Sequence, residues 1–167
     1  MWASLLSIPV MLVLLMVQTA FGGAIHLGEG MTDLLLVTVA AWSIQEPVKN
    51  GLVWAVVAGA LASLVSAFPF PYTFVAYCLV AILAARLKGR VWQNALLSLL
   101  LVVVLGTALQ YGLDLIVLES ENVAGSILNA IEQVVLPSMI LNLLFSLPIY
   151  ALTNELANLL YPVRIEQ

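Results

Sequence analysis

Few side chains in the apolar segments of this chain could do chemistry. Gln110 and Asp114 stand four residues apart, so on a helix they share one face. A buried ionisable group in hydrocarbon is a candidate functional residue, which makes Asp114 a possible part of a ligand site. The same residue lies about one turn from the end of its apolar run, where a carboxylate can also reach headgroups and water. Both interpretations of this pair stay open.

Asn142 is the other polar side chain deep in an apolar run. Because hydrocarbon offers no water, its amide needs a hydrogen-bonding partner. A neighbouring helix can supply that partner, and so can a bound ligand.

Metal and catalytic motifs are missing from the sequence. His26 is followed by Glu29 and Asp33 without the paired Cys or His ligands of a zinc site, and Cys78 is the single cysteine. No GxxxxGK[ST], HExxH or GxSxG pattern occurs, and the titratable groups are scattered. A net charge of −4 without a basic stripe argues against nucleic acid. We therefore expect no enzyme, no metal and no cofactor.

Composition predicts the kind of secondary structure that positions these residues. Hydrophobic residues make up 63% of the chain and charged residues 8%, against about 25% charged residues in soluble domains. The sequence therefore predicts an all-α membrane protein. Six apolar runs are separated by short polar or Pro/Gly-marked breaks: 2–24, 31–44, 52–68, 72–85, 95–118 and 134–160. The second and fourth contain only about 14 residues each, so either could be re-entrant instead of crossing the bilayer.

Basic residues favour six spans over four. With six spans and a cytoplasmic N-terminus, all five fall on the cytoplasmic side, where short loops retain Lys and Arg. Four spans would leave Lys49 outside. The five are Lys49, Arg86, Lys88, Arg90 and Arg164. The prediction is a six-helix transmembrane bundle with both ends in the cytoplasm, a single integral membrane domain over residues 1–167.

Small residues recur at four-residue spacing on the third run and form two rows. Small side chains let helix backbones approach closely, where lipid supplies no hydrophobic drive for association. The rows predict a helix-packing surface, either inside the bundle or toward a partner protein. The first row is Ala55, Gly59 and Ser63, and the second is Ala58, Ala62 and Ser66.

The order of features across nearly the whole chain resembles the MreD family of bacterial rod shape-determining membrane proteins. Gln18 ends the first helix, Thr32-Asp33 opens an acidic helix start, and a Pro-containing turn leads into a helix with Tyr77. A short basic loop and the last helix complete the likeness: Arg86-Leu87-Lys88-Gly89-Arg90, Leu136-Pro137-Ser138, Asn142, Pro148 and Tyr161-Pro162.

The resemblance implies a non-enzymatic scaffold of the cell-elongation complex in the bacterial cytoplasmic (inner) membrane. Its implied partners are the bitopic protein MreC, the class B penicillin-binding transpeptidase and the RodA-type glycosyltransferase. The family's fold is similar to the substrate-binding S component of energy-coupling-factor vitamin transporters. Such an S component is the alternative function, and it would need a polar ligand cavity.

Overall fold

A computed structural model describes residues 2–21, 26–89, 94–120 and 127–162. Arg90 and Arg164, two of the predicted cytoplasmic residues, lie outside these ranges. The helices are α1 (Trp2–Leu5), α2 (Ser7–Phe21), α3 (Leu34–Ile44), α4 (Gly51–Val65), α5 (Phe70–Leu87), α6 (Ala95–Ser120), α7 (Ile127–Ala130) and α8 (Leu136–Leu160). A π-helical turn (Ile131–Val135) joins α7 to α8, and two short strands, β1 (His26–Leu27) and β2 (Gly30–Met31), pair antiparallel.

Within the described residues, four helical stretches are long and apolar enough to cross a bilayer. They are Trp2–Ala20, Phe70–Leu87, Ala95–Ser120 and Ile127–Leu160, whereas α3 and α4 are shorter. The fourth apolar run, predicted to be short, forms an 18-residue helix. Apolar composition misplaced both ends of α5, because Pro71 is tolerated in a first helical turn and Arg86 continues the last one.

Helix α3 forms the centre of the bundle. All 11 of its residues are buried, and it packs against α8, α5, α4, α6 and α2. A helix that is apolar all round needs lipid or neighbouring helices on every face, and neighbouring helices cover α3. Its sequence is LLLVTVAAWSI, and the large side chains of Leu35, Leu36 and Trp42 are at most 1% exposed.

The β-hairpin packs on the start of α8. Gly28 has φ of +62°, as the first central residue of a two-residue hairpin turn often requires. A Cβ on Gly30 would lie 2.6 Å from the Cβ of Pro137, so only glycine fits this close approach. Pro137 has no N–H for the carbonyl of Gln133, four residues earlier, and that carbonyl instead accepts the Glu29 N–H at 3.3 Å. The proline thus leaves the Gln133 carbonyl free to accept a hydrogen bond from the hairpin.

A tryptophan cluster holds the opposite end together. The rings of Trp42 and Trp54 stack with centroids 4.3 Å apart. Trp42 Nε1 donates to Asn50 Oδ1 at 3.2 Å, and Trp54 Nε1 donates to the Ala3 carbonyl at 3.0 Å. Asn50 Nδ2 in turn donates to Ser4 Oγ at 3.1 Å. The loop between α3 and α4 is therefore fixed to the first helix of the chain.

Candidate functional site

Asp33 caps the N-terminus of the central helix. Its side chain accepts the Leu36 N–H at 3.0 Å, the usual bond of an N-cap carboxylate. The hydroxyl of Tyr77, from α5, lies 2.7 and 2.6 Å from its two carboxylate oxygens. A negative side chain at a helix N-terminus is also favoured by the helix dipole. Asp33 therefore fixes the start of α3 and joins it to α5.

Asn142 extends this arrangement to α6 and α8. Its Oδ1 accepts the Asp33 N–H at 2.7 Å and the Thr32 hydroxyl at 3.2 Å. Its Nδ2 donates to Thr107 Oγ1 at 3.0 Å. The side chain is 1% exposed, so all three contacts are made away from solvent.

Gln18 connects the first long apolar stretch to the start of α3, because its Oε1 accepts the Leu34 N–H at 2.8 Å. The free N–H groups at the start of α3 are thus bound by side chains from several helices, which is how a buried helix end avoids unsatisfied donors. We call this set the α3 cap network. It consists of Gln18, Thr32, Asp33, Tyr77, Thr107 and Asn142 and joins α2, α3, α5, α6 and α8.

A cavity of about 380 Å³ opens beside the α3 cap network. Gln18, Asp33 and Tyr77 form part of its polar wall, and Gln110 lines it as well. The Oε1 atom of Gln110 is buried and finds no hydrogen-bond partner among the described residues. The cavity therefore combines apolar walls with polar groups, one of which has an unused acceptor.

The two members of the predicted Gln110–Asp114 pair both lie on α6 but line different cavities. Asp114 is 8% exposed and lines a different cavity of about 150 Å³, with Tyr111, Leu118 and Val134. Asn142 belongs to the α3 cap network, Gln110 lines the cavity beside it, and Asp114 is not a member.

The small-residue rows of α4 lie mainly inside the bundle. Of their six members, Ala55, Ala58, Gly59 and Ser63 are buried. A Cβ on Gly59 would lie 3.2 Å from the Cβ of Tyr77, so this row borders α5. The other two, Ala62 and Ser66, are partly exposed and line the larger cavity beside the α3 cap network.

Sequence reasoning missed Asp33 and Tyr77 as members of a site. The resemblance places Asp33 at a helix start, and Asp immediately before an apolar helical run is an N-cap signal, but neither observation identifies its partners. Nothing in the sequence pairs it with Tyr77, 44 residues later. Across the described ranges, no group of three or more His, Cys, Asp or Glu side chains could hold a metal ion.

Four long apolar helical stretches around a buried, polar-capped central helix define an α-helical membrane protein. Neither curated proteins nor solved structures gave a match to the chain. A family model described as rod shape-determining protein MreD matches residues 1–158. The chain therefore belongs to the MreD family and is a cell shape-determining membrane protein.

Proposed function

We propose that this chain is a non-enzymatic scaffold of the cell-elongation complex in the bacterial cytoplasmic membrane. It binds an MreC-like bitopic protein and, directly or through that protein, a class B penicillin-binding transpeptidase and a RodA-type glycosyltransferase. Family membership supports the process, and the α3 cap network supports the mechanism. In this proposal residues 1–167 form one integral membrane domain.

The mechanism is positional. Polar contacts between helices are expected to order a membrane bundle, because each broken contact leaves a polar group in hydrocarbon. The α3 cap network connects five helices through one buried point, so partners that touch different faces contact one connected body. Such a body can hold synthases in fixed relative positions without a reaction of its own.

The polar ends of the bundle support six spans with both termini in the cytoplasm. Gln18, near the end of α2, binds the start of α3, while Ser4, in α1, binds the loop that follows α3. Helix α3 therefore runs antiparallel to the first stretch over most of its length. The loop end also has Lys49 and Arg86, as expected for the cytoplasmic side. We propose that the short helices α3 and α4 also cross the membrane, α3 enclosed by the other helices and α4 with part of its apolar surface toward lipid.

The S component of an energy-coupling-factor vitamin transporter is the second candidate, and one observation favours it. The cavity beside the α3 cap network has apolar walls and the unused Gln110 acceptor, a combination found in small-molecule sites. The Asp33 carboxylate in its wall could also bind a ligand donor.

Depletion of the protein separates the two functions. A scaffold predicts that depleted cells become round or wide in rich and minimal media alike, and that vitamin supplements do not help. Gln110→Leu, which removes the unused acceptor, should still restore rod shape. Growth rescued by a vitamin, together with failure of Gln110→Leu to complement, would favour the transporter.

A further inference from the structure

A third cavity, of about 470 Å³, lies at the opposite end of the bundle from the α3 cap network. It is formed where α3 ends, α4 begins and α5 ends. Three of the chain's five basic residues line it: Lys49, Arg86 and Lys88. In a chain with so few positive charges, this convergence sets the cavity apart.

The charges around the cavity are predominantly positive. Lys88 Nζ donates to the Val48 carbonyl at 2.8 Å, which leaves two of its three N–H donors for another acceptor. Burial lowers the pKa of Lys88. The negative charge of Glu46 acts to raise this pKa, and the positive charge of Lys49 acts to lower it further. Glu46 is the acidic group that faces this lysine. A bound anion would therefore relieve an unfavourable local excess of positive charge.

The floor of the cavity contains an unused polar atom. Ser43 is 4% exposed, and its Oγ has no hydrogen-bond partner in the part of the chain that the structure describes. A Cβ on Gly51 would collide with that Oγ, so glycine lets the start of α4 pack closely against the Ser43 hydroxyl. Asn50 gives α4 no side-chain cap, and the first N–H groups of a helix favour anions. Hydroxyl, helix start and basic side chains thus border one space.

The remaining wall is apolar. Leu52, Ala81, Ile82 and Ala85 line it, and Leu52 and Ile82 are exposed on the lateral surface of the bundle. A free anion gains nothing from contact with an apolar wall, whereas a phospholipid has acyl chains next to its phosphate that can pack against it.

We infer that this cavity binds the headgroup phosphate of an anionic phospholipid, with its acyl chains along Leu52 and Ile82. Arg86 and Lys49 donate to the phosphate oxygens, and Lys88 and Ser43 contact the deeper ones. Basic pockets between helices at the cytoplasmic face have the chemistry that such headgroups require. The inference does not depend on the partners proposed above.

The test uses the full chain, purified in a zwitterionic detergent, with native mass spectrometry to count and rank bound lipids. Phosphatidylglycerol should bind in preference to phosphatidylcholine. Lys49→Gln with Arg86→Gln should weaken phosphatidylglycerol binding about 25-fold, or about fivefold for each charge, while phosphatidylcholine binding stays the same. Both side chains are exposed, so folding should be retained. Each single variant should weaken phosphatidylglycerol binding about fivefold.

A charge-preserving variant, Lys49→Arg with Arg86→Lys, is the matched control and should bind phosphatidylglycerol like the parent. Inorganic phosphate should not displace the lipid. Three results would overturn the inference. The first is unchanged phosphatidylglycerol binding in the double Gln variant, and the second is equal affinity of the parent for inorganic phosphate and for the lipid. The third is a double Gln variant that loses an acidic protein partner but keeps its lipid binding.

Discussion

Replacing Asn142 by alanine removes three hydrogen bonds from the centre of the bundle. The Asp33 N–H, the Thr32 hydroxyl and Thr107 Oγ1 all lose their partner at once. Because Asn142 is 1% exposed, water cannot readily replace the amide. The start of α3 would keep its bonds to Gln18 and to the Asp33 carboxylate, so we expect a destabilised bundle that still folds.

The magnitude follows from hydrogen bonds between membrane helices, which contribute about 0.6 kcal/mol on average and at most about 1.7. Three such bonds give a loss of about 2 kcal/mol in the free energy of unfolding, with an upper bound of about 5. Thr107→Val, which removes one of the three, should cost about 0.6 kcal/mol. In the double variant the two losses should not add, since both remove the same bond.

The assay is reversible unfolding of the purified protein in mixed micelles of increasing SDS content, followed by tryptophan fluorescence. Trp42 and Trp54 are both fully buried and stacked, so they report on the core. Asn158→Ala is the matched control, because Asn158 is exposed on the same helix, and it should change stability by less than about 0.5 kcal/mol. If Asn142→Ala is as harmless as Asn158→Ala, the α3 cap network does not hold the bundle together.

Three further predictions test other parts of the structure. Gly59→Leu should cost about 1–3 kcal/mol in the same unfolding assay, because its Cβ would press on α5, whereas Gly112→Leu, whose Cβ meets no described atom within 4 Å, should be close to neutral. Equal effects would show that α4 and α5 do not pack as described. Tyr77→Phe removes only the hydroxyl that donates to the N-cap carboxylate and should cost about 0.6–1.7 kcal/mol. No measurable loss would mean that this bond is not formed. In a cysteine-free background, Glu29→Cys should react with an impermeant thiol reagent from outside the cell and Glu46→Cys only after permeabilisation, and the reverse pattern would refute the proposed orientation.

The sequence predicts the helices well because a membrane-spanning helix is a local, compositional feature. Apolar runs mark all the long stretches, but they mark the ends of α5 poorly. Pro71 and Arg86 look like breaks in a hydropathy pattern, yet both are compatible with helix termini. The short apolar helices are therefore α3 and α4, from the second and third apolar runs. The fourth run, predicted to be short, forms the longer helix α5.

The site was only partly predictable, because its bonds join distant parts of the chain. The sequence showed that Asn142 needs a partner, but its contacts with Asp33 and Thr107 span 109 and 35 residues. The row of small residues through Gly59 indicated close helix packing without naming the helix opposite. The helix-start position of Asp33 is a local signal, whereas its contact with Tyr77 spans 44 residues and is not.

Affinity purification of the tagged full-length chain from native membranes tests the scaffold most directly. The preparation should be made in a mild detergent, with an unrelated tagged polytopic protein of similar size as control, and the co-purifying proteins identified by mass spectrometry. The scaffold account predicts recovery of an MreC-like bitopic protein together with a peptidoglycan synthase. Recovery of energy-coupling ATPase subunits in their place would contradict it.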